Sequence, residues 1–145
     1  YRRQRQMCIR DRWSVLSSTE FQQDAKILNE IEESGWKLQL FSNSPLAWSL
    51  PVMQVLGGST SVIKSHQYLK PHLRAYTQFS TKWNYLFVDD SLINLYTAKL
   101  FPNWTPIHYT ENRAQQIDFP SVHNIWELAM MCETIDKFGL HSIVA

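Results

Sequence analysis

The run Tyr85-Leu86-Phe87-Val88 closes on two adjacent carboxylates, Asp89 and Asp90, and then passes into Ser91-Leu92-Ile93-Asn94-Leu95. Bulky apolar residues in succession read as a buried strand, and a small polar residue followed by an amphipathic stretch reads as a helix start. Acid is thereby placed at the C-terminal edge of a strand, which in an open α/β sheet is where ligands bind. Two like charges side by side are costly unless a cation or a shared proton offsets the repulsion, and a divalent metal is the economical explanation.

The same alternation extends along the chain. Phe21, Ala25, Ile27, Leu28 and Ile31 have helical spacing between a capping Thr19 and a terminating Gly35. Trp36 to Phe41 reads as a strand, and Ser42-Asn43-Ser44-Pro45 as a polar turn into a helix carrying Ala47, Trp48, Leu50 and Val55. Ser61-Val62-Ile63 suits a short strand, and Lys70-Pro71 the mouth of a helix running to about Phe79. Trp83 to Asp89 is predicted as a strand, Leu92 to Leu100 as a helix, Thr105 to Tyr109 as a strand and Val122 to Met131 as a last helix. Helices alternating with strands predict an α/β fold, a Rossmann-like three-layer α/β/α parallel sheet.

Composition narrows the class. With 145 residues and 44% hydrophobic content the chain can bury one real core. No segment has the length of a membrane span, and none has the form of a secretion signal, so a cytoplasmic protein is expected, with no membrane partner. Cys8 and Cys132 stand alone, which leaves a disulfide framework or zinc site without support. The net charge of +1 hides an asymmetry: five arginines against Asp11 give residues 1–12 a net +4, so the rest of the chain carries −3. A nucleic-acid partner would rest on that tail alone and is not expected. Met7-Cys8-Ile9-Arg10-Asp11-Arg12 resembles translated sequencing-adaptor read-through, so residues 1–12 are expected to be a non-native tail and residues 13–145 the domain.

Three strand ends or helix starts carry chemistry in chain order: Ser42 with Asn43, then Lys70, then Asp89, Asp90 and Asn94. In this arrangement the chain resembles the haloacid dehalogenase-like hydrolase superfamily, most nearly its pyrimidine 5′-nucleotidase-like branch. Phe41-Ser42-Asn43-Ser44 is similar to that family's second motif, Lys70-Pro71 to its third, and Phe87 to Leu95 to its fourth. The resemblance spans about Thr19 to Thr110. It implies a Mg²⁺-dependent phosphomonoester hydrolase working through an aspartyl-phosphate, with a small phosphorylated substrate such as a nucleotide. Ser42 and Lys70 would then be the catalytic groups that hold the phosphoryl oxygens, Asp90 and Asp89 the metal ligands with Asp90 the direct one, and Asn94 and Asn43 supporting residues. Phosphoryl transfer needs this equipment, because its catalysis is positioning plus charge compensation.

The family's first motif, Asp-x-Asp, supplies the nucleophile, and no Asp-x-Asp occurs in this sequence. The expectation is therefore a partial domain, incomplete at its N-terminal side, lacking the nucleophile, the cap and the central strand. Such a chain should be catalytically inactive and marginally stable, with a gap in the middle of its sheet.

Other readings stay open beside this one. Asp89 and Asp90 also suit a simple helix cap. A non-catalytic scaffold on a degenerate fold of the same kind would lack the nucleophile without truncation, and dehalogenation or phosphomutase chemistry use the same frame. A receiver domain combines an acidic pair, a hydroxyl and a lysine too, but places the acidic pair first. His66, His72, His108, His123 and His141 form no site by spacing and are expected at the surface or in satisfied core positions.

Overall fold

The computed structural model describes residues 19–41, 43, 61–63, 68–113, 118–135 and 141–144. The expected tail, the helix after Ser42 and Ser42 itself lie outside the described residues. In chain order the elements are α1 (Thr19–Glu33), β1 (Lys37–Phe41), β2 (Ser61–Ile63), α2 (Leu73–Thr77), β3 (Asn84–Asp89), α3 (Leu92–Ala98), β4 (Trp104–Tyr109), β5 (Ser121–Val122), α4 (Ile125–Thr134) and β6 (His141–Val144). The strands form one six-stranded sheet in the order β2-β1-β6-β3-β4-β5, and every neighbouring pair is parallel. This is an α/β fold.

Side-chain alternation along the strands divides the core into two layers, one on each face of the sheet. Leu38, Leu86, Val88, Ile107, Val122 and Ile143 point to one face, where Ile31 of α1 and Ile125, Leu128 and Cys132 of α4 cover them. Phe41, Tyr85, Phe87, Trp104 and Val144 point to the other, against Ala75 and Tyr76 of α2 and Leu95 and Ala98 of α3. Coverage on both faces is why β3 is buried from Tyr85 through Asp89. The second layer is largely aromatic. Trp104 meets Phe41, Tyr76, Phe79, Tyr85 and Phe87 with ring centroids 5.0–6.4 Å apart, the spacing at which edge-to-face pairs attract.

Helix α1 ends at Glu33 before Gly35, whose φ of +113° is a backbone setting that L side chains rarely adopt. Three expectations are corrected. Helix α2 starts at Leu73, with the His72 ring accepting from the Arg74 amide at 3.1 Å, so Pro71 precedes it and Lys70 is held in a turn; the Lys70–Pro71 peptide is cis. The last helix starts at Ile125 because Asn124 caps it, its side chain accepting from the Glu127 amide, and Val122 belongs to strand β5.

The third correction concerns the middle of the sheet. The position between β1 and β3, expected to be empty, is filled by β6, which pairs with Lys37 to Gln39 on one side and Asn84 to Phe87 on the other. His141-Ser142-Ile143-Val144 shows no capping, turn or long periodic signal. Its placement comes from Ile143 and Val144 completing the two apolar layers. Burying an aliphatic side chain of this size contributes about 1.5–3 kcal/mol. The reason given for marginal stability, an open gap, is thereby removed.

Candidate functional site

Strands β1 and β3 lie on either side of β6, and the connections leave them in opposite directions, toward β2 and toward β4. Their C-terminal ends therefore border a switch point of the topology, the usual crevice of an open α/β sheet. Val144 is level with Gln39 and Phe87. Phe41 and Asp89 each stand two residues further along, above the last described residue of β6.

Lys70 spans that crevice. Its Nζ donates to the Phe41 carbonyl at 2.7 Å and to Asp89 Oδ2 at 2.9 Å, joining residues 29 and 19 positions away in sequence. The ammonium also lies over the Phe41 and Phe87 rings, 4.8 and 5.6 Å from their centroids. Asn43 fixes the lysine's main chain, accepting from the Lys70 amide at 2.9 Å and donating to its carbonyl at 3.2 Å. This amide clasp ties the turn after β1 to the turn before α2, and it explains how an exposed Asn43 contributes to a buried site.

Asp89 is 7% exposed, and both of its oxygens are engaged. Oδ1 accepts from the Ser91 amide at 2.8 Å, while Oδ2 takes Lys70 and the Asn94 side chain, the latter at 3.3 Å. Burial by itself would raise the Asp89 carboxyl. The Lys70 ammonium, with hydrogen bonds donated by Lys70 and the Ser91 amide, more than offsets this and holds it below the usual carboxylate range. Asn94 is buried in the first turn of α3, facing inward to Asp89, and its carbonyl accepts from the Tyr76 hydroxyl at 2.7 Å. Burial, then the nearby Asp89 charge, pushes Tyr76 above the usual phenol range, so it is a donor at any working pH.

Asp90 stands next along the chain, partly exposed at the rim. The helix-cap reading of the pair is met only in part: Asp89 turns inward, bonding the Ser91 amide and the lysine, and Ser91 makes no side-chain cap bond. Of the residues named from sequence, the fold gathers Asn43, Lys70, Asp89, Asp90 and Asn94 at one edge, and Ser42 lies outside the described residues.

A further residue belongs to this edge. His108 pairs with Asp89 across β3 and β4, is buried, and its Nε2 lies 3.2 Å from the Asp90 carbonyl, while Nδ1 is buried with no hydrogen-bond partner among the described residues. This differs from the surface or satisfied-core setting expected for it. The available signal was its place one residue before the end of β4, since consecutive parallel strands bring their C-terminal ends to the same edge.

Among the described residues no group of three or more His, Cys, Asp or Glu side chains could hold a metal ion. Mg²⁺ does not require such a cage, because it commonly keeps several waters and takes only one or two carboxylates plus a phosphate. With both Asp89 oxygens occupied by donors, the donor set fits a sparsely ligated ion at Asp90 and does not fit a closed structural site. No described helix is long and apolar enough to cross a membrane. No family model, curated protein or solved structure matches the chain.

Proposed function

We propose that this chain carries the phosphate- and Mg²⁺-binding groups of a phosphomonoester hydrolase on a Rossmann-like frame, of the haloacid dehalogenase-like kind. The observation that carries the reading is Lys70 Nζ set between the Phe41 carbonyl and Asp89 Oδ2, three residues drawn one from each resembling motif. Lys70 supplies a point charge for phosphoryl oxygens. Asp89, with Asn94 behind it, keeps that ammonium in place. Asp90 holds Mg²⁺, which when bound offsets phosphate charge. Ser42 is assigned a hydrogen bond to the phosphoryl group, and Asn43 the orientation of Lys70. The substrate is a small phosphorylated molecule, with a nucleotide the first candidate. Because the chain holds no Asp-x-Asp, the reading assigns it binding and not nucleophilic attack. A cytoplasmic setting goes with it.

One observation favours a second reading, a non-catalytic scaffold: the sheet position of the nucleophile-bearing strand in the resembling family is taken here by β6, which carries no carboxylate. Calorimetric titration of the full chain with MgCl₂, then with inorganic phosphate and a nucleoside monophosphate in its presence, separates the two. Mg²⁺ binding that Asp90→Asn weakens about tenfold or more, while Asp89→Asn chiefly lowers stability, supports the binding-site reading. Absence of heat with all three ligands at millimolar concentration supports the scaffold. Turnover of a phosphomonoester by the purified chain would refute the assignment of binding without attack.

A further inference from the structure

His108 is buried at the same sheet edge, and the scheme above gives it no task. Paired with Asp89 in the parallel register, its ring stands on the face of the sheet that Asp89 occupies. Nε2 meets the Asp90 main-chain carbonyl at 3.2 Å. A carbonyl only accepts, so Nε2 must carry the proton, and in the neutral ring Nδ1 is then a lone pair buried with no donor facing it among the described residues. Such an orphaned acceptor costs stability, which an apolar residue at this point of β4 would avoid. What the imidazole supplies in return is the hold on Asp90.

That hold falls at an informative place. Asp89 is anchored through both carboxylate oxygens and Ser91 through its amide. Between them, the Asp90 peptide sets the direction in which the Asp90 side chain leaves the main chain, beside the Asp89 carboxylate. We infer that His108 is a positioning residue, whose Nε2–H grips the Asp90 carbonyl and so sets the Asp90 carboxylate for a divalent cation. The inference rests on reading Asp90 as the Mg²⁺ ligand.

The test uses the full 145-residue chain. Nitrogen NMR of the His108 ring should show a protonated Nε2, with or without metal. Calorimetric titration with MgCl₂ should show His108→Phe binding about tenfold or more weakly than wild type, and His108→Gln, which keeps a donor near the Nε2 position, within a factor of about three. His108→Phe should change the melting temperature little, since the orphaned nitrogen and the bond to the Asp90 carbonyl are lost together. A merely structural histidine would leave Mg²⁺ affinity unchanged, whatever the melting temperature does. Should His108→Phe not fold, His108→Asn, which draws the donor back to the Nδ1 position, replaces it in the comparison with His108→Gln. Equal affinity in wild type and His108→Phe, or an unprotonated Nε2, overturns the inference alone. A wild-type chain that takes no Mg²⁺ overturns the metal reading and this role with it.

Discussion

Removing the lysine from the buried pair gives the sharpest test of how this site is held. In Lys70→Met the aliphatic stem is nearly kept, but Asp89 loses an ammonium at 2.9 Å and the Phe41 carbonyl a donor at 2.7 Å. Attraction between unit charges at that distance is about 6 kcal/mol at an effective dielectric near 20. Much of it is offset by the desolvation that a buried lysine no longer suffers, and breaking one side of a buried pair typically costs about 3–5 kcal/mol. Asp89 keeps its bonds from Ser91 and Asn94, which argues for the lower end, about 3 kcal/mol. For a chain of this size that is a melting temperature lower by about 6–12 °C.

The penalty should also depend on pH, in a defined direction. In the wild type Asp89 is held below its ordinary value, so its contribution is complete above an unfolded-state value of about 4 and is lost only as pH falls through the lowered folded value. Without Lys70, burial dominates and raises the Asp89 carboxyl. The folded variant then takes up a proton before the unfolded chain does, and gains stability as pH falls through that raised value. The difference between wild type and Lys70→Met should therefore narrow from pH 7 to about pH 4. Urea unfolding followed by circular dichroism at several pH values measures it. Lys70→Met/Asp89→Asn, which removes the uncompensated charge, should recover at least part of the loss. A variant within about 1 kcal/mol of wild type at pH 7, or a difference that does not change with pH, would refute the reasoning.

Tyr76→Phe keeps the ring against Phe41, Phe87 and Trp104 and deletes only the hydroxyl that reaches the Asn94 carbonyl at 2.7 Å. It should cost about 1 kcal/mol, read as a fall of about 2–4 °C in a thermal melt; no change would show that the bond adds nothing to the placing of Asn94. Gly35→Ala meets open space but requires an L residue at φ +113°. A loss of about 1 kcal/mol or more in urea unfolding is expected, and an unchanged or raised midpoint would contradict the backbone argument.

Much of the architecture was readable from local pattern. The spacing of Phe21, Ala25, Ile27, Leu28 and Ile31 and the stop at Gly35 correspond to α1, and the apolar runs before Ser42 and Asp90 to β1 and β3. Asn43, Asp89, Asp90 and Asn94 could be picked out because each stands at or just beyond the end of a strand or in the first turn of a helix, and Lys70 because a proline follows it, although it proves to lie in a turn. Where α2 and α4 begin was less legible, since His72 and Asn124 as caps compete with the proline and the apolar residues that precede them.

Chain chemistry alone thus settles an alternating α/β order with acid at a strand's C-terminal end, because periodicity and punctuation are properties of neighbours in sequence. It does not settle which strand fills the centre of the sheet. The four residues His141 to Val144, too short a run to carry a periodic signal, become β6 because two flanking strands pair with their main chain and two apolar layers take Ile143 and Val144. The same holds for the site: Lys70 reaches Asp89 across 19 residues, and His108 reaches the Asp90 carbonyl across 18. Such pairings depend on which strand ends meet at one edge, and long-range packing decides that.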